Sequence, residues 1–114
     1  MKHGRRVMGW TAASLTAAGV AAWLTGAPAL AATPKTVGIK EFTYAPPALT
    51  VCPGTTVTWV NHDEEPHTVT SATGAFASTG LVKDDSFAQT FTTRGTYQYF
   101  CALHPHMKAT VVVR

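Results

Sequence analysis

The residues with the clearest chemical potential are those of the segment Cys101–Met107, together with His67. The segment reads Cys-Ala-Leu-His-Pro-His-Met, so Cys101, His104 and Met107 follow one another at intervals of three residues. A fourth donor, His67, lies far upstream. One thiolate, two imidazoles and one thioether make a set of soft and borderline donor atoms. This set predicts a mononuclear metal site that takes three ligands from one loop and the fourth from His67.

Copper is the metal that this donor set favours. Thiolate and thioether suit Cu(I), imidazole suits both oxidation states, and a weak thioether bond lets the ion change charge with little movement. Zinc is disfavoured because a thioether is not an ordinary zinc ligand, and a catalytic centre is disfavoured because it needs an open coordination position. Taken singly, Met107 or Cys101 would be ordinary core packing and His67 an ordinary loop histidine. Their combination predicts one copper ion, Cu(II)/Cu(I), in an electron carrier and not in an enzyme.

Residues 1–31 have the pattern of a cleaved export signal. Three basic residues are followed by an uncharged run rich in Ala, Thr and Leu, and small residues close the segment. This order is typical of a secretory leader. Cleavage after Ala31 fits the small-x-small requirement, and cleavage after Ala29 or Ala32 stays open. The prediction is a leader over 1–31, a single domain over 32–114, and a periplasmic or extracellular location.

Two alternatives to this export reading stay open. Arg5-Arg6 could belong to a twin-arginine signal, which exports folded proteins, although Val7-Met8-Gly9 continues that motif poorly. An uncleaved membrane anchor is the other alternative, since no charge occurs from Val7 through Pro34. The run is rich in Ala, Thr, Ser and Gly, which gives it a weak apolar character for a spanning helix. We expect no membrane span in the mature form.

The charge of the domain excludes nucleic acid as a partner. The full chain has a formal net charge of +3. Residues 32–114 contain as many basic as acidic residues, so this excess comes from Lys2, Arg5 and Arg6 alone. No basic cluster remains that could neutralise a row of phosphates. The acidic run Asp63–Glu65 is either a solvated turn or a surface that steers a basic partner.

The two cysteines are predicted to remain unpaired. An exported protein favours disulfides, but a bridge between Cys52 and Cys101 would consume the only thiolate beside His104 and Met107. In the strand alternation Cys52 falls on the face opposite Leu49 and Val51, so it is expected to face outward or lie at a turn. It is either an inert thiol or one that forms dimers under oxidation.

From Lys35 onward the chain reads as short strands separated by turns. The first segment of alternating apolar and polar residues is Thr36–Phe42 and the last is Ala109–Val113. Turn signals between them include Pro53-Gly54 and Arg94-Gly95. The segment Ala72–Lys83 is ambiguous and could hold a short strand or one helical turn. Seven or eight strands at this spacing predict an all-β protein, an antiparallel β-sandwich.

Several motifs resemble those of the small blue-copper cupredoxins. They are Gly54-Thr-Thr-Val-Thr-Trp59-Val-Asn61, Pro66-His67-Thr68, Gly95-Thr-Tyr97 and Tyr99-Phe-Cys101-x2-His104-Pro105-x-Met107. The short Cys-x2-His-x2-Met spacing is most similar to that of the amicyanins. The resemblance covers about Ile39 to Val113 and implies a Greek-key cupredoxin-like sandwich. It also implies that His67, Cys101 and His104 are the strong ligands and Met107 the weak axial one.

The resemblance also implies where electrons enter and leave. In this family the second of the two ligand histidines, here His104, exposes one ring edge within an apolar patch. We expect a monomer that meets redox proteins of the cytochrome or dehydrogenase type through a small transient interface around His104. A copper carrier or resistance protein with the same ligands is the alternative. His62 and His106 are expected to be exposed, and His106 could also act as a pH-dependent charge beside His104.

Two departures from the family pattern concern the ligand loops. Thr68 stands where the family usually has Asn, and a hydroxyl offers fewer hydrogen bonds than an amide. Leu103 stands where amicyanin has Pro, so this chain keeps a backbone N–H there. We expect that N–H to approach the Cys101 sulfur and favour Cu(I).

Overall fold

The computed structural model describes Gly4 and residues 32–114, and residues 32–114 form eight strands. The strands are β1 (Lys35–Lys40), β2 (Thr43–Ala45), β3 (Ala48–Val51), β4 (Thr55–Asn61), β5 (Thr70–Ser71), β6 (Ser86–Phe91), β7 (Gly95–Phe100) and β8 (Lys108–Val113). This described part of the chain has no helical residues, and so no helix that could cross a bilayer. The predicted leader over 1–31 lies, apart from Gly4, outside the described residues.

The strands form two four-stranded sheets that enclose one core. One sheet has the order β2-β1-β4-β6 and the other β3-β8-β7-β5. The predicted all-β sandwich of seven to eight strands is thus confirmed. The sheets are mixed and not wholly antiparallel, because β1 pairs with β4 and β3 with β8 in parallel. These parallel pairs arise because the chain leaves one sheet and returns to it after visiting the other, which a two-residue hairpin cannot do.

Alternation of buried and half-buried residues in β4 shows why the sandwich forms. Val57 and Trp59 are fully buried, while Thr56 and Thr58 lie on the opposite face. The Trp59 ring packs against aromatic rings of both sheets, with Phe91 at 6.3 Å and Tyr99 at 5.4 Å between centroids. Each large aromatic side chain buries about 150–250 Å² and contributes strongly to the stability of a core.

The first predicted strand is interrupted, which corrects one sequence expectation. Thr36–Phe42 reads as one alternating segment, yet Glu41 and Phe42 form a two-residue turn between β1 and β2. Both residues have positive φ, 54° and 59°. Such turns are usually marked by Asn-Gly or Asp-Gly, and neither dipeptide is present here. The local sequence therefore carried no turn signal.

The segment that the sequence left ambiguous is irregular and follows the loop of His67. Single bridges join His67 to Leu81 and Thr70 to Ala77. The strand β5 is limited to Thr70–Ser71 and does not include His67. Leu81 is buried in the core cluster. The segment thus packs beside the loop that carries His67.

All the predicted metal ligands lie at one end of the sandwich. Cys101 follows the end of β7, Met107 precedes β8, and His67 precedes β5. Because β7 runs antiparallel to both β5 and β8, these three chain positions fall at the same end of the sandwich. We call this end the site end and the opposite end the far end.

Candidate metal centre

Three of the four predicted ligands bring their donor atoms together. One ligand atom each from His67, Cys101 and His104 lies within 4.8 Å of the others. The Cys101 Sγ is 3.8 Å from Nδ1 of His67 and 3.6 Å from Nδ1 of His104. His67 and Cys101 have no exposed surface, whereas His104 is half-buried. The cluster is thus closed except along one imidazole.

The ligand loop is closed by its own backbone. The N–H of His104 donates to the Cys101 carbonyl at 3.2 Å, and the N–H of Met107 donates to the His104 carbonyl at 2.9 Å. The Cys101 N–H donates to the Met107 carbonyl at 3.1 Å, so the loop returns to its starting point. Met107 is 3% exposed. Its thioether therefore belongs to the interior of the site end.

His67 is held in one ring orientation. Its backbone exchanges two hydrogen bonds with Leu81, at 3.0 and 2.7 Å. Its Nε2 lies 2.8 Å from Oδ2 of Asp63. A carboxylate can only accept, so Nε2 carries a proton, and in the neutral imidazole Nδ1 is the nitrogen with the lone pair. That lone pair faces the cluster, which is the arrangement that a metal-binding histidine requires.

Asp63 is a site residue that the sequence reasoning did not find. Its carboxylate also accepts the backbone N–H of Glu41 at 2.7 Å and that of Phe42 at 2.9 Å. Desolvation acts to raise the pKa of Asp63, but the N–H groups of Phe42 and Glu41 and the His67 ring outweigh it and lower the pKa. The position of Asp63 four residues before His67 was visible in the sequence. Its bonds to the β1–β2 turn were not.

Phe42 is a second residue that the sequence reasoning missed. Its ring meets the rings of His67 and His104 edge to face, with centroids 5.0 and 4.9 Å apart. The side chain is 42% exposed. An aromatic ring from the β1–β2 turn therefore lies across both imidazoles and covers part of the site end.

Thr68 does connect the two ligand-bearing loops. Its Oγ1 accepts the N–H of Ala102 at 2.7 Å and pairs with the Thr70 hydroxyl at 2.9 Å. Its own N–H donates to Cys101 Sγ at 3.4 Å. One hydroxyl and one amide of Thr68 thus tie the two loops together at the position where the family usually has Asn.

The expected contact from Leu103 is not found. Among the described residues, the backbone donor to the Cys101 sulfur is Thr68, and the Leu103 N–H makes no such bond. The loop reverses at His104, whose N–H bonds the Cys101 carbonyl. The amide that contacts the sulfur therefore comes from the neighbouring loop.

Within residues 32–114, the remaining histidines and the second cysteine lie on the surface, as expected. His62 and His106 are exposed, and the His106 ring is 6.5 Å from that of His104 between centroids. Cys52 is exposed and Cys101 buried, and both are free thiols. Cys52 therefore plays no part in the cluster.

The donor set fits one copper ion. A buried thiolate and two imidazole nitrogens converge without any carboxylate oxygen among them. Soft sulfur with imidazole selects copper over hard cations such as Mg²⁺ or Ca²⁺. The hydrogen bond from His67 to Asp63 favours the tautomer that metal binding needs.

Comparison with known proteins agrees with this fit. Residues 31–114 match the sequence model described as copper binding proteins, plastocyanin/azurin family. Amicyanin from Paracoccus versutus is 40% identical over 82 residues, which cover 68% of this chain and 62% of that protein. The chain thus spans less than two thirds of the length of that relative.

Solved structures show the same fold. The purple cupredoxin from Nitrosopumilus maritimus is 32% identical with a TM-score of 0.66, covering 70% of this chain and 99% of that chain. The copper-containing nitrite reductase from Thermus scotoductus SA-01 is 28% identical with a TM-score of 0.68. That match covers 72% of this chain but only 22% of the reductase.

Proposed function

Because the chain belongs to the plastocyanin/azurin family of copper-binding proteins, we propose that it is a type 1 (blue) copper protein that carries single electrons outside the cytoplasm. The observation that supports this best is the convergence of two Nδ1 atoms on the buried Cys101 sulfur. Amicyanins among its relatives make electron transfer the function to test first. The export part of the proposal relies on the leader pattern of residues 1–31.

Each residue of the cluster has a separate role in this proposal. His67, Cys101 and His104 are the strong ligands, and Met107 is the weak axial ligand. Bound copper would supply a reversible one-electron change between Cu(II) and Cu(I). Asp63 fixes the ring of His67, and the loop hydrogen bonds hold His104 and Met107 relative to Cys101. Little movement is then required when the charge of the site changes.

His104 is the ligand through which electrons would enter and leave. His104 is half-buried, whereas the other two members of the cluster, His67 and Cys101, are fully buried. Redox proteins, of the cytochrome or dehydrogenase type, would approach this edge in a transient contact. A monomer suffices for such contact, since His67, Cys101 and His104 all come from one chain.

An enzymatic role is not part of the proposal. The four donors leave no open position for a substrate, which a catalytic metal needs. Residues 32–114 contain one group of three or more His, Cys, Asp or Glu donors able to hold a metal, namely this one. The nitrite reductase resembles the chain over only 22% of the reductase. That limited match supports a shared copper-domain fold.

The visible spectrum tests the proposal directly. Residues 32–114, which contain all eight strands, are loaded with one equivalent of Cu(II). We expect an intense blue thiolate-to-copper band that Cys101→Ser abolishes and that Cys52→Ser, which removes the exposed thiol, leaves unchanged. A colourless product from the unaltered domain would contradict the proposal.

A second measurement separates an electron carrier from the alternative, a copper carrier. The reduced protein is mixed with an oxidised c-type cytochrome and a copper-chelating acceptor, and the cytochrome absorbance is followed together with the copper retained by the protein. An electron carrier reduces the cytochrome and keeps its copper. Loss of copper to a chelating acceptor without cytochrome reduction would favour the copper carrier.

A further inference from the structure

Thr68 forms a hydrogen bond with each of its polar atoms. Its N–H donates to the Cys101 sulfur at 3.4 Å, and its hydroxyl accepts the Ala102 N–H and pairs with the Thr70 hydroxyl. Its carbonyl accepts the Tyr44 hydroxyl at 2.5 Å. Tyr44 alone among these partners comes from the other sheet, because it lies in β2 beside β1, whereas the rest lie in β5 or in the loop after β7. The two sheets are thus joined at the residue that contacts the sulfur of the predicted copper site.

The peptide unit between Thr68 and Val69 is held at both ends. Tyr44 donates to its carbonyl oxygen, and its N–H, which belongs to Val69, donates to the Ser78 hydroxyl at 2.8 Å. A peptide unit is planar and rotates as one body about its two Cα atoms. Two hydrogen bonds at opposite ends therefore fix its orientation, and each of the two depends on a single side chain.

The N–H that faces the sulfur belongs to the preceding peptide unit. The carbonyl of that unit, at His67, accepts the Leu81 N–H at 2.7 Å. The two units share the Cα of Thr68, so rotation of the second unit changes the backbone dihedral angle next to the first. The angle at which the Thr68 N–H approaches Cys101 thus depends on Tyr44 as well as on the loop itself.

Tyr44 is suited to the role of a fixed donor. Its side chain is 1% exposed, and its ring packs against Tyr99 with centroids 4.8 Å apart. Tyr99 lies two residues before Cys101, in the strand that leads to it. Burial raises the pKa of Tyr44, and the neighbouring Cys101 and Tyr99 raise it further. The phenol therefore keeps its proton, and because a carbonyl can only accept, the hydroxyl is the donor.

The contact between Thr68 and Cys101 matters for the chemistry of the proposed site. A hydrogen bond to a cysteine sulfur withdraws negative charge from it and is one of the features that tune the potential of a blue-copper site. A sulfur with less charge is a weaker donor to Cu(II), which favours Cu(I). Among residues 32–114, Thr68 supplies the backbone N–H that is bonded to this sulfur. The groups that hold that N–H in place therefore affect the reduction potential.

We propose that Tyr44 raises the reduction potential of bound copper by holding the Thr68 N–H toward the Cys101 sulfur. The inference rests on the proposed function and adds a residue that tunes it. Tyr44 acts through Thr68 and is a positioning residue, not a ligand. Without its hydroxyl, the peptide unit after Thr68 keeps only the bond to Ser78, the Thr68 N–H turns away from the sulfur, and the Cu(II) form gains stability.

Redox titration of copper-loaded Tyr44→Phe tests the proposal. The substitution removes the hydroxyl and keeps the ring that packs against Tyr99. We expect a lower reduction potential than in the parent, and a thiolate-to-copper band at longer wavelength, because a sulfur without the hydrogen bond is a stronger donor. Lower stability alone would move neither quantity. An unchanged potential in the folded variant would overturn the proposal.

Tyr97→Phe is the matched control. The Tyr97 hydroxyl also donates to a backbone carbonyl, that of Thr93, at 2.7 Å. This bond lies at the far end, since Thr93 precedes β7. The control should keep the potential and the band of the parent. A shift as large as that of Tyr44→Phe would mean that the loss of any tyrosine hydroxyl changes the site, and this result too would contradict the proposal.

Ser78→Ala removes the hydrogen bond at the other end of the same peptide unit. Ser78 is half-buried, and its replacement leaves the ring of Tyr44 in place. We expect the potential to move in the same direction as in Tyr44→Phe. If Tyr44→Phe does not fold, an unchanged potential in Ser78→Ala refutes the proposal.

Amide hydrogen exchange in the copper-free protein tests the hydrogen bonds without the metal. The Thr68 amide of Tyr44→Phe should exchange about two- to tenfold faster than in the parent, the factor expected for one neutral hydrogen bond. The amides of Val57 and Trp59 in β4 report overall unfolding and should change less. Equal acceleration at all three amides would overturn the proposal. A parent protein that forms no blue site would instead refute the proposed function, and the exchange rates would still decide whether Tyr44 holds the Thr68 N–H.

Discussion

At the scale of single residues, Asp63 connects features that are distant in the sequence. One carboxylate binds the predicted ligand His67 and both N–H groups of a turn 21 and 22 residues earlier. Hydrogen bonds to a charged acceptor are stronger than those between neutral groups. The orientation of the His67 ring and the shape of the β1–β2 turn therefore depend on the same side chain.

Asp63→Asn should destabilise the copper-free protein. The amide keeps one acceptor oxygen, but its NH₂ group would face donors where Oδ2 now accepts from Phe42 and His67. We expect a loss of about 1–3 kcal/mol in the free energy of unfolding, as is common when charged hydrogen bonds are removed. Denaturant unfolding at pH 7 measures it. Glu65→Gln, the same chemical change at an exposed side chain, should have almost no effect. Equal losses in the two variants would refute the role of Asp63.

Thr68 makes a second prediction at this scale. Thr68→Val keeps the shape of the side chain but leaves the Ala102 N–H without its acceptor. Thr68→Ser keeps the oxygen. Unfolding of the copper-free variants should show a loss of about 1–3 kcal/mol for Val and clearly less for Ser. A Ser variant as unstable as the Val variant would show that the methyl group matters more than the hydrogen bond.

At the scale of elements, the β1–β2 turn is the unusual part of the fold. Two successive residues with positive φ, Glu41 and Phe42, occupy a conformation that side chains with a Cβ disfavour by about 1–2 kcal/mol each. The bonds from Asp63 offset this cost. In return, the turn brings Phe42 across the two imidazoles. The turn thus adopts an unfavourable backbone conformation and places Phe42 in contact with His67 and His104.

Glu41→Asn should therefore stabilise the protein. Asn adopts positive φ more readily than Glu, and the backbone bond from residue 41 to Asp63 is kept. We expect a gain of about 0.5–1 kcal/mol in thermal or denaturant unfolding. Lys40→Asn, which introduces the same residue one position earlier in extended β1, should be neutral or destabilising. No gain at residue 41 would indicate that the turn is unstrained.

At the scale of the whole molecule, buried tyrosines link the core to the site end. The rings of Tyr44 and Tyr99 are 4.8 Å apart between centroids, and the Tyr44 hydroxyl donates to the Thr68 carbonyl at 2.5 Å. Burial raises the pKa of Tyr99 to about 12, with the neighbouring Trp59 side chain opposing the shift in part. Burial likewise raises the pKa of Tyr44. Both phenols are thus kept neutral well above the ordinary pKa of tyrosine.

The stability of the protein should consequently fall in alkali. Below pH 10 the Tyr99 proton is bound in both the folded and the unfolded state, so it adds no pH dependence. Between about pH 10 and 12 the unfolded state releases this proton first, and deprotonation favours unfolding. Tyr99→Phe should reduce the slope by up to about 1.4 kcal/mol per pH unit there. Denaturant unfolding at pH 9, 10 and 11 measures the slope, and identical slopes for parent and variant would contradict the assignment.

The family and the sandwich could be recognised from the sequence alone, and the same sequence predicts the four ligands. This was possible because their signals are local: strand alternation has a period of two residues, and three donors lie within the seven residues from Cys101 to Met107. The turn at Glu41–Phe42, the hydrogen bond from the Ala102 N–H to Thr68 and the contact of Phe42 with both imidazoles became visible only in the folded chain. Each depends on which loops meet after two sheets have packed, and no spacing along the chain encodes that meeting. Asp63 lies within four residues of His67 in the sequence, yet only the folded chain shows the backbone that it holds.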